Sequence, residues 1–186
     1  IIVIDDGSTD GTRQVAEGFG PRLTYRARAN GGAGAARNSG LELAQGEILC
    51  FLDADDLWLP DKTALQLAVL DREPQVDAVF GHTQQFLHSA AGTRELGLPA
   101  PAYLPGTMMI RRDAFQRVGA FRTDLKVGEF VDWYARAVEV SISTRMLPET
   151  VLRRRIHGEN AGIRWRSSTD YLTALKSALD RRRGRR

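Results

Sequence analysis

In Leu49-Cys50-Phe51-Leu52-Asp53-Ala54-Asp55-Asp56, an apolar run meets three carboxylates within four positions. Residues 46–52 lack the alternation of a half-exposed strand and are too short for a typical helix. They therefore predict a strand buried on both faces of a parallel sheet. In open α/β sheets ligands lie in the crevice outside the carboxyl ends of the strands, which is where Asp53, Asp55 and Asp56 fall. A solvated loop with a helix cap is the plainer reading of the same residues.

Upstream, Ile1-Ile2-Val3-Ile4 is a second apolar run that stops at carboxylates, Asp5-Asp6-Gly7-Ser8-Thr9-Asp10. Asp10 or Thr9 can cap a following helix with Val15, Ala16 and Phe19 on its apolar face. Leu23 to Ala27 predicts a short polar strand. Asn30-Gly31-Gly32-Ala33-Gly34-Ala35-Ala36-Arg37-Asn38-Ser39-Gly40 then opens another helix. It is not a dinucleotide fingerprint, because Arg37 stands where the third glycine belongs. Small residues at a helix start still let backbone amides approach an anion, and Arg37 adds a fork suited to phosphate oxygens. The alternative is close helix packing, with Arg37 paired to Glu42 or Glu47.

Downstream, the pattern predicts a helix over 61–72 with Leu65, Ala68 and Val69 on its apolar face, and a strand over 76–81. A hairpin is expected over 83–94 with its tip near Ala90-Ala91-Gly92. An irregular loop follows over 97–107, then a strand at 107–111 and a helix over 112–118. Glu129 and Asp132 open a further helix on one face. They serve either as favourable charges at its N-terminus or as a general base, with Trp133 as a wall. Strands over 141–147 and 151–156 lead to His157-Gly158-Glu159-Asn160, and 169–179 form an amphipathic helix. Alternating strands and helices imply parallel pairing with right-handed crossovers, in one α/β domain.

The 186 residues suffice for one core, and the net charge of +3 is concentrated in Arg181-Arg182-Arg183-Gly184-Arg185-Arg186. That end reads as a frayed, solvated tail, with an anionic membrane surface or nucleic acid as lesser uses. The single cysteine, Cys50, argues against a disulfide framework and for a reducing compartment, hence a cytoplasmic location. No stretch reaches the ~18–20 apolar residues of a membrane span. Because the chain starts inside a core strand, an upstream strand and helix are expected to be missing.

Together these stretches resemble the family 2 inverting glycosyltransferases of GT-A fold. Ile2 to Asp10 resembles the family's first nucleotide-contacting motif. Asn30-Gly31-Gly32 with Ala36-Arg37-Asn38 resembles its segment near the ribose and phosphates. Phe51-Leu52-Asp53-Ala54-Asp55-Asp56 resembles its Asp-x-Asp signature, and His157-Gly158-Glu159-Asn160 its late His-x-x-Asn element. The family's adjacent Glu-Asp pair is absent from Glu129-Phe130-Val131-Asp132-Trp133, so the resemblance leaves Glu129 first and Asp132 second as base.

The resemblance implies a Rossmann-like, mostly parallel central sheet flanked by helices and lacking its first strand. Residues 1–96 would be the nucleotide-sugar half, 97–168 the acceptor half, and 181–186 a basic tail. It further implies a nucleotide-diphospho-sugar donor at Asp5, Asp6, Ser8, Asn30, Gly32, Arg37, Asp53 and Asp55. Mn²⁺ or Mg²⁺ would lie on Asp53, Asp55 and His157. The acceptor hydroxyl would be carbohydrate, lipid-linked or of another kind. No nucleic acid partner is expected, and peripheral contact with the inner membrane face would run through the basic tail. A sugar-1-phosphate nucleotidyltransferase would want a basic, Gly-rich loop where the acidic Asp5-Asp6-Gly7-Ser8 turn stands. An inert nucleotide-sugar-binding module is the rival of another class.

Overall fold

The computed structural model describes residues 1–90, 92–164 and 168–184. Ala91 of the expected hairpin tip and Arg185 and Arg186 of the basic end lie outside them. The chain divides into two compact units, one of residues 1–45, 119–136 and 167–186, the other of 46–118 and 137–166.

The first unit is built on β1 (Ile2–Asp5), α1 (Thr12–Glu17), β2 (Thr24–Ala27) and α2 (Gly32–Leu43). It is completed by the start of α5 (Glu129–Glu139) and by α7 (Asp170–Arg183). β1 and β2 pair in parallel, Ile2 opposite Thr24 through Asp5 opposite Ala27. Gly11, not Asp10 or Thr9, takes the N-cap position of α1, with no side-chain cap, while Asp10 one residue earlier accepts the Thr12 N–H at 3.0 Å. On α1 only Ala16 is buried, while Val15 and Phe19 are exposed. α2 packs tightly, because a Cβ on Gly34 would lie 2.3 Å from the Arg122 carbonyl oxygen. The expected helix over 169–179 runs on to Arg183, so Arg181–Arg183 form its last turn and not a frayed tail. The physical reason is a buried partner, since Arg181 Nη1 donates to Asp132 Oδ1 at 3.1 Å.

The second unit carries β3 (Ile48–Cys50), β4 (Leu57–Trp58), α3 (Lys62–Arg72), β5 (Ala78–Ser89), β6 (Gly92–Ala102), β7 (Met109–Arg111), α4 (Arg112–Val118), β8 (Thr144–Arg155) and α6 (Ala161–Arg164). Five strands run in the order β3-β7-β5-β8-β4, and β6 pairs with β5. The parallel ladder expected of alternating strands and helices is present at β5–β8, and the other ladders here are antiparallel. β3 differs most from its expectation. It is three residues long, antiparallel to β7, and only Leu49 is buried.

Residues 97–107 are not an irregular loop. Most continue the hairpin as β6, and a 3-10 turn at Pro105–Thr107 leads into β7. The runs at 76–81 and 83–94 share one strand, β5, up to Ser89, and the two late runs likewise fuse as β8. Register shifts around His82 absorb the irregularity that broke the sequence pattern. β6 keeps Pro99 and Pro101 at alternate positions, and among the described residues it pairs with β5 alone.

Leu70, Val76, Val79 and Met109 form a core cluster, with Ile48, Cys50, Val69 and Leu147 packed against it. Full burial of such side chains stabilises by roughly 1.5–3 kcal/mol each. The buried face of α3 differs from the expected one: Lys62 and Gln66 lie inside with Leu70, while Leu65, Ala68 and Val69 are half-buried. Lys62 Nζ donates to Gln66 Oε1 at 2.6 Å, and Gln66 Nε2 donates to the Val79 and Thr107 carbonyls at 2.9 and 2.7 Å. The ammonium also lies 4.6 Å from the Trp58 ring centre. Burial pushes its pKa down to about 8. No described helix is long and apolar enough to cross a membrane.

Candidate functional site

In the second unit, the acidic stretch forms a turn between β3 and β4, closed by the Asp56 N–H on the Asp53 carbonyl at 3.1 Å. The end of β8 holds this turn. Asp56 Oδ1 accepts the Arg155 N–H at 2.9 Å, and Arg155 Nε donates to the Asp55 carbonyl at 3.0 Å. Asp56 is buried, and loss of solvent is the largest reason its pKa is pushed up to about 6. Asp55 instead keeps an accessible carboxylate. Its Oδ2 receives His157 Nε2 at 3.0 Å and Asn160 Nδ2 at 3.1 Å.

His157 is held in turn by its neighbours. Its backbone N–H donates to Asn160 Oδ1 at 2.6 Å, and the Glu159 N–H donates to Nδ1 at 3.2 Å. The ring Nε2 faces both Asp55 Oδ2 and, at 3.3 Å, Asn160 Nδ2. His157 thus lies directly against Asp55, the carboxylate with which it is expected to share a metal ion. Among the described residues, no group of three or more His, Cys, Asp and Glu gathers in a metal-holding cluster. The donor set still fits a hard cation of the Mg²⁺ kind, which typically takes one or two carboxylates and otherwise binds phosphate and water. Asp53 is exposed on the same turn.

The first unit assembles the other expected residues around two carboxylates. Asp5 is buried, accepts the Ser8 N–H at 2.7 Å and the Tyr25 hydroxyl at 2.5 Å, and is held below the usual carboxylate range, chiefly by Tyr25. Asp6 closes the N-terminus of α2. It accepts the Gly31 N–H at 3.1 Å and the Gly32 N–H at 2.7 Å, and Arg28 Nη1 lies at 2.5 Å. Asn30 Nδ2 donates to the Asp6 carbonyl at 2.8 Å. Gly32 adopts φ +83°, a left-handed conformation that favours glycine. The amides expected to cradle a phosphate thus already bind an internal anion. Ser8 and Asn30 stay exposed.

Arg37 pairs with neither Glu42 nor Glu47. Its Nη1 lies 2.5 Å from Glu129 Oε1, both side chains being about nine-tenths buried, while Glu42 pairs with Arg26. Its guanidinium also lies 5.8 Å from the Phe121 ring centre. Asp132 is completely buried, with Arg136 Nε at 2.9 Å, Arg181 Nη1 at 3.1 Å and Arg122 Nη1 at 3.9 Å. Its helical neighbours Phe130 and Trp133 stack at 5.6 Å and 19°. The two acids share a helix turn, yet one meets a single arginine and the other three.

Sequence reasoning did not single out Tyr25 or Arg28, and it names Arg155 only with Arg153 and Arg154, as three cations that an anion could meet beside His157. Tyr25 and Arg28 sit in and just after a polar strand with no motif of its own, and Arg155 was one of three arginines alike in sequence. Asn160 carried a signal in the three-residue spacing from His157.

The chain belongs to glycosyl transferase family 2, whose model matches residues 1–119. An uncharacterized glycosyltransferase of Rickettsia typhi is 26% identical over 174 residues, covering 84% of this chain and 54% of that protein. TuaG of Bacillus subtilis, provisionally named a teichuronic acid biosynthesis glycosyltransferase, is 43% identical over 72 residues, 36% of this chain and 28% of that one. Among solved structures, Staphylococcus aureus TarS in complex with UDP-GlcNAc superposes with a TM-score of 0.75 at 20% identity, covering 95% of this chain and 55% of that chain. TarS with UDP gives 0.69 at 22% identity, over 85% and 51%. The likeness establishes the GT-A fold expected from the sequence. The chain spans about half the length of the curated relatives first matched, at 54%.

Proposed function

We propose that the chain is the catalytic part of an inverting glycosyltransferase that moves a sugar from a nucleotide-diphospho-sugar to an acceptor hydroxyl, with Mn²⁺ or Mg²⁺. The observation that carries the reading is Asp55, an accessible carboxylate oriented from one side by His157 and Asn160 within a family 2 chain. The ion supplies Lewis-acid relief of the charge that gathers on the departing diphosphate. Asp55 holds it, Asp53 contacts ion or ribose, His157 aims Asp55, and Asp56 with Arg155 fixes the turn. In the first unit, Ser8 and Asn30 face the nucleoside, while Asp5, Asp6 and Gly32 keep that turn in shape.

Inversion requires the acceptor hydroxyl to attack opposite the leaving group while a carboxylate takes its proton. We assign that role to Glu129, with Arg37 as its charge partner in the resting protein and a phosphate contact when donor is bound. Asp132 is enclosed by guanidinium groups and serves structure. UDP-sugars form the first donor panel, because the TarS complexes hold UDP-GlcNAc and UDP. A cell-envelope polysaccharide acceptor follows the teichuronic acid assignment of TuaG. The proposed location is cytoplasmic, with the basic end at the membrane face.

The test compares wild type with Asp55→Ala in donor turnover and in Mn²⁺-dependent UDP binding. Turnover is expected to fall on the order of 100-fold or more in the variant, and unchanged turnover would reject Asp55 as ion ligand. One observation favours a second reading, an inert nucleotide-sugar-binding module: both candidate bases are engaged by arginine. Metal-dependent UDP binding without turnover of any donor in the panel would select it.

A further inference from the structure

The two faces of α7 differ sharply in what they touch. Inward, Ala174 is fully buried, Asp170 accepts the Lys126 N–H at 2.7 Å, Ser177 Oγ receives Arg122 Nη1 at 3.1 Å, and Arg181 meets Asp132. These positions fall on one side of a 3.6-residue helix. On the opposite side stand Leu172, Leu175 and Leu179, exposed by 66%, 51% and 53%, at the i, i+3, i+7 spacing of a single stripe. Lys176, Arg182 and Arg183 are exposed around that stripe, against one exposed acid, Asp180.

We propose that the outer face of α7 lies on an anionic lipid surface, leucines in the acyl boundary and cations among the headgroups. A surface helix of a globular domain normally turns its apolar stripe inward. Here the inward side is filled by polar and small residues, and the stripe faces solvent. Charge selects the occupant. Two-fold association with a second copy would set a cationic patch against itself. Nucleic acid would meet the cations but offers the leucines no apolar phase. A bilayer interface offers both in one plane, and such helices bind it through apolar burial plus attraction to anionic lipid. With a stripe of only about two turns, binding is reversible and salt-sensitive. This inference does not rest on the transferase reading, since it is measured without donor or metal.

Vesicle flotation of the 186-residue protein tests it, using equimolar phosphatidylglycerol and phosphatidylcholine against phosphatidylcholine alone. Wild type is expected on the anionic vesicles and to be released by salt. The double variant R182E/R183E should lower partitioning on the order of tenfold or more, and L172E/L179E should abolish it. All four side chains are exposed, so circular dichroism should match wild type. Wild type that ignores anionic vesicles, or variants that bind them as wild type does, would overturn the proposal. So would a mass that rises with concentration, is abolished by L172E/L179E, and is unaccompanied by vesicle binding.

Discussion

At the scale of single residues, Glu129 and Asp132 show how environment separates two acids of similar sequence context. Glu129 faces one arginine at 2.5 Å, so its charge is balanced once and an acceptor or phosphate can displace the partner. Asp132 is itself fully buried, and neutralising it removes the charge that Arg136 and Arg181 hold at 2.9 and 3.1 Å. Glu129→Gln should therefore lower turnover by roughly 10²–10⁴-fold, the usual worth of a general base. Asp132→Asn should instead cost about 3 kcal/mol of unfolding free energy, near the cost of breaking a buried pair. Turnover per folded molecule and urea unfolding of both variants measure the contrast.

Asp56 adds a pH signature at the same scale. Its folded pKa of about 6 lies above the ordinary 3.8, so the folded state binds the proton more tightly than the unfolded chain. Its contribution is full below 3.8, declines as pH rises towards 6, and leaves a fixed penalty above that. Asp56→Asn keeps an acceptor for the Arg155 N–H and carries no charge. The variant should thus be more stable than wild type at pH 7.5, on the order of 1–2 kcal/mol, with the gain gone near pH 4. Thermal unfolding at the two pH values reads it.

At the scale of elements, α2 is placed by what it lacks. A methyl group at Gly34 would meet the Arg122 carbonyl oxygen, a backbone atom that moves only with its whole segment. Gly34→Ala gains roughly 1 kcal/mol of helix propensity, yet it should destabilise by about 1–3 kcal/mol through overpacking. Urea unfolding gives the sign. The glycines of this stretch were legible as close approach, but the approaching object was not. Spacing suggested a ligand phosphate, and the structure supplies Asp6 and the backbone of residue 122. Elements with local signals read well: the helix over 112–118 came out at Arg112–Val118. Elements whose identity depends on distant partners did not. The strand before Asp53 has an apolar composition that fits either sheet sense, and only pairing with β7 decides it. Nor could the sequence show that the buried face of α3 carries Lys62, because the acceptors that satisfy it come from Gln66 and the Met108 carbonyl.

At the scale of the whole molecule, a ligand that binds only the folded chain stabilises it by mass action. UDP at about 100 times its dissociation constant should add roughly 2.7 kcal/mol. That gain should appear with Mn²⁺ or Mg²⁺ and vanish with a chelator, as a shift in melting temperature. The hairpin strand β6 has a bearing on handling at this scale. An open strand edge is a template on which a second chain can add, the first step toward fibrils. Pro99 and Pro101 withhold two amide donors from such a ladder, so the β5–β6 hairpin is also guarded against growing into an aggregate.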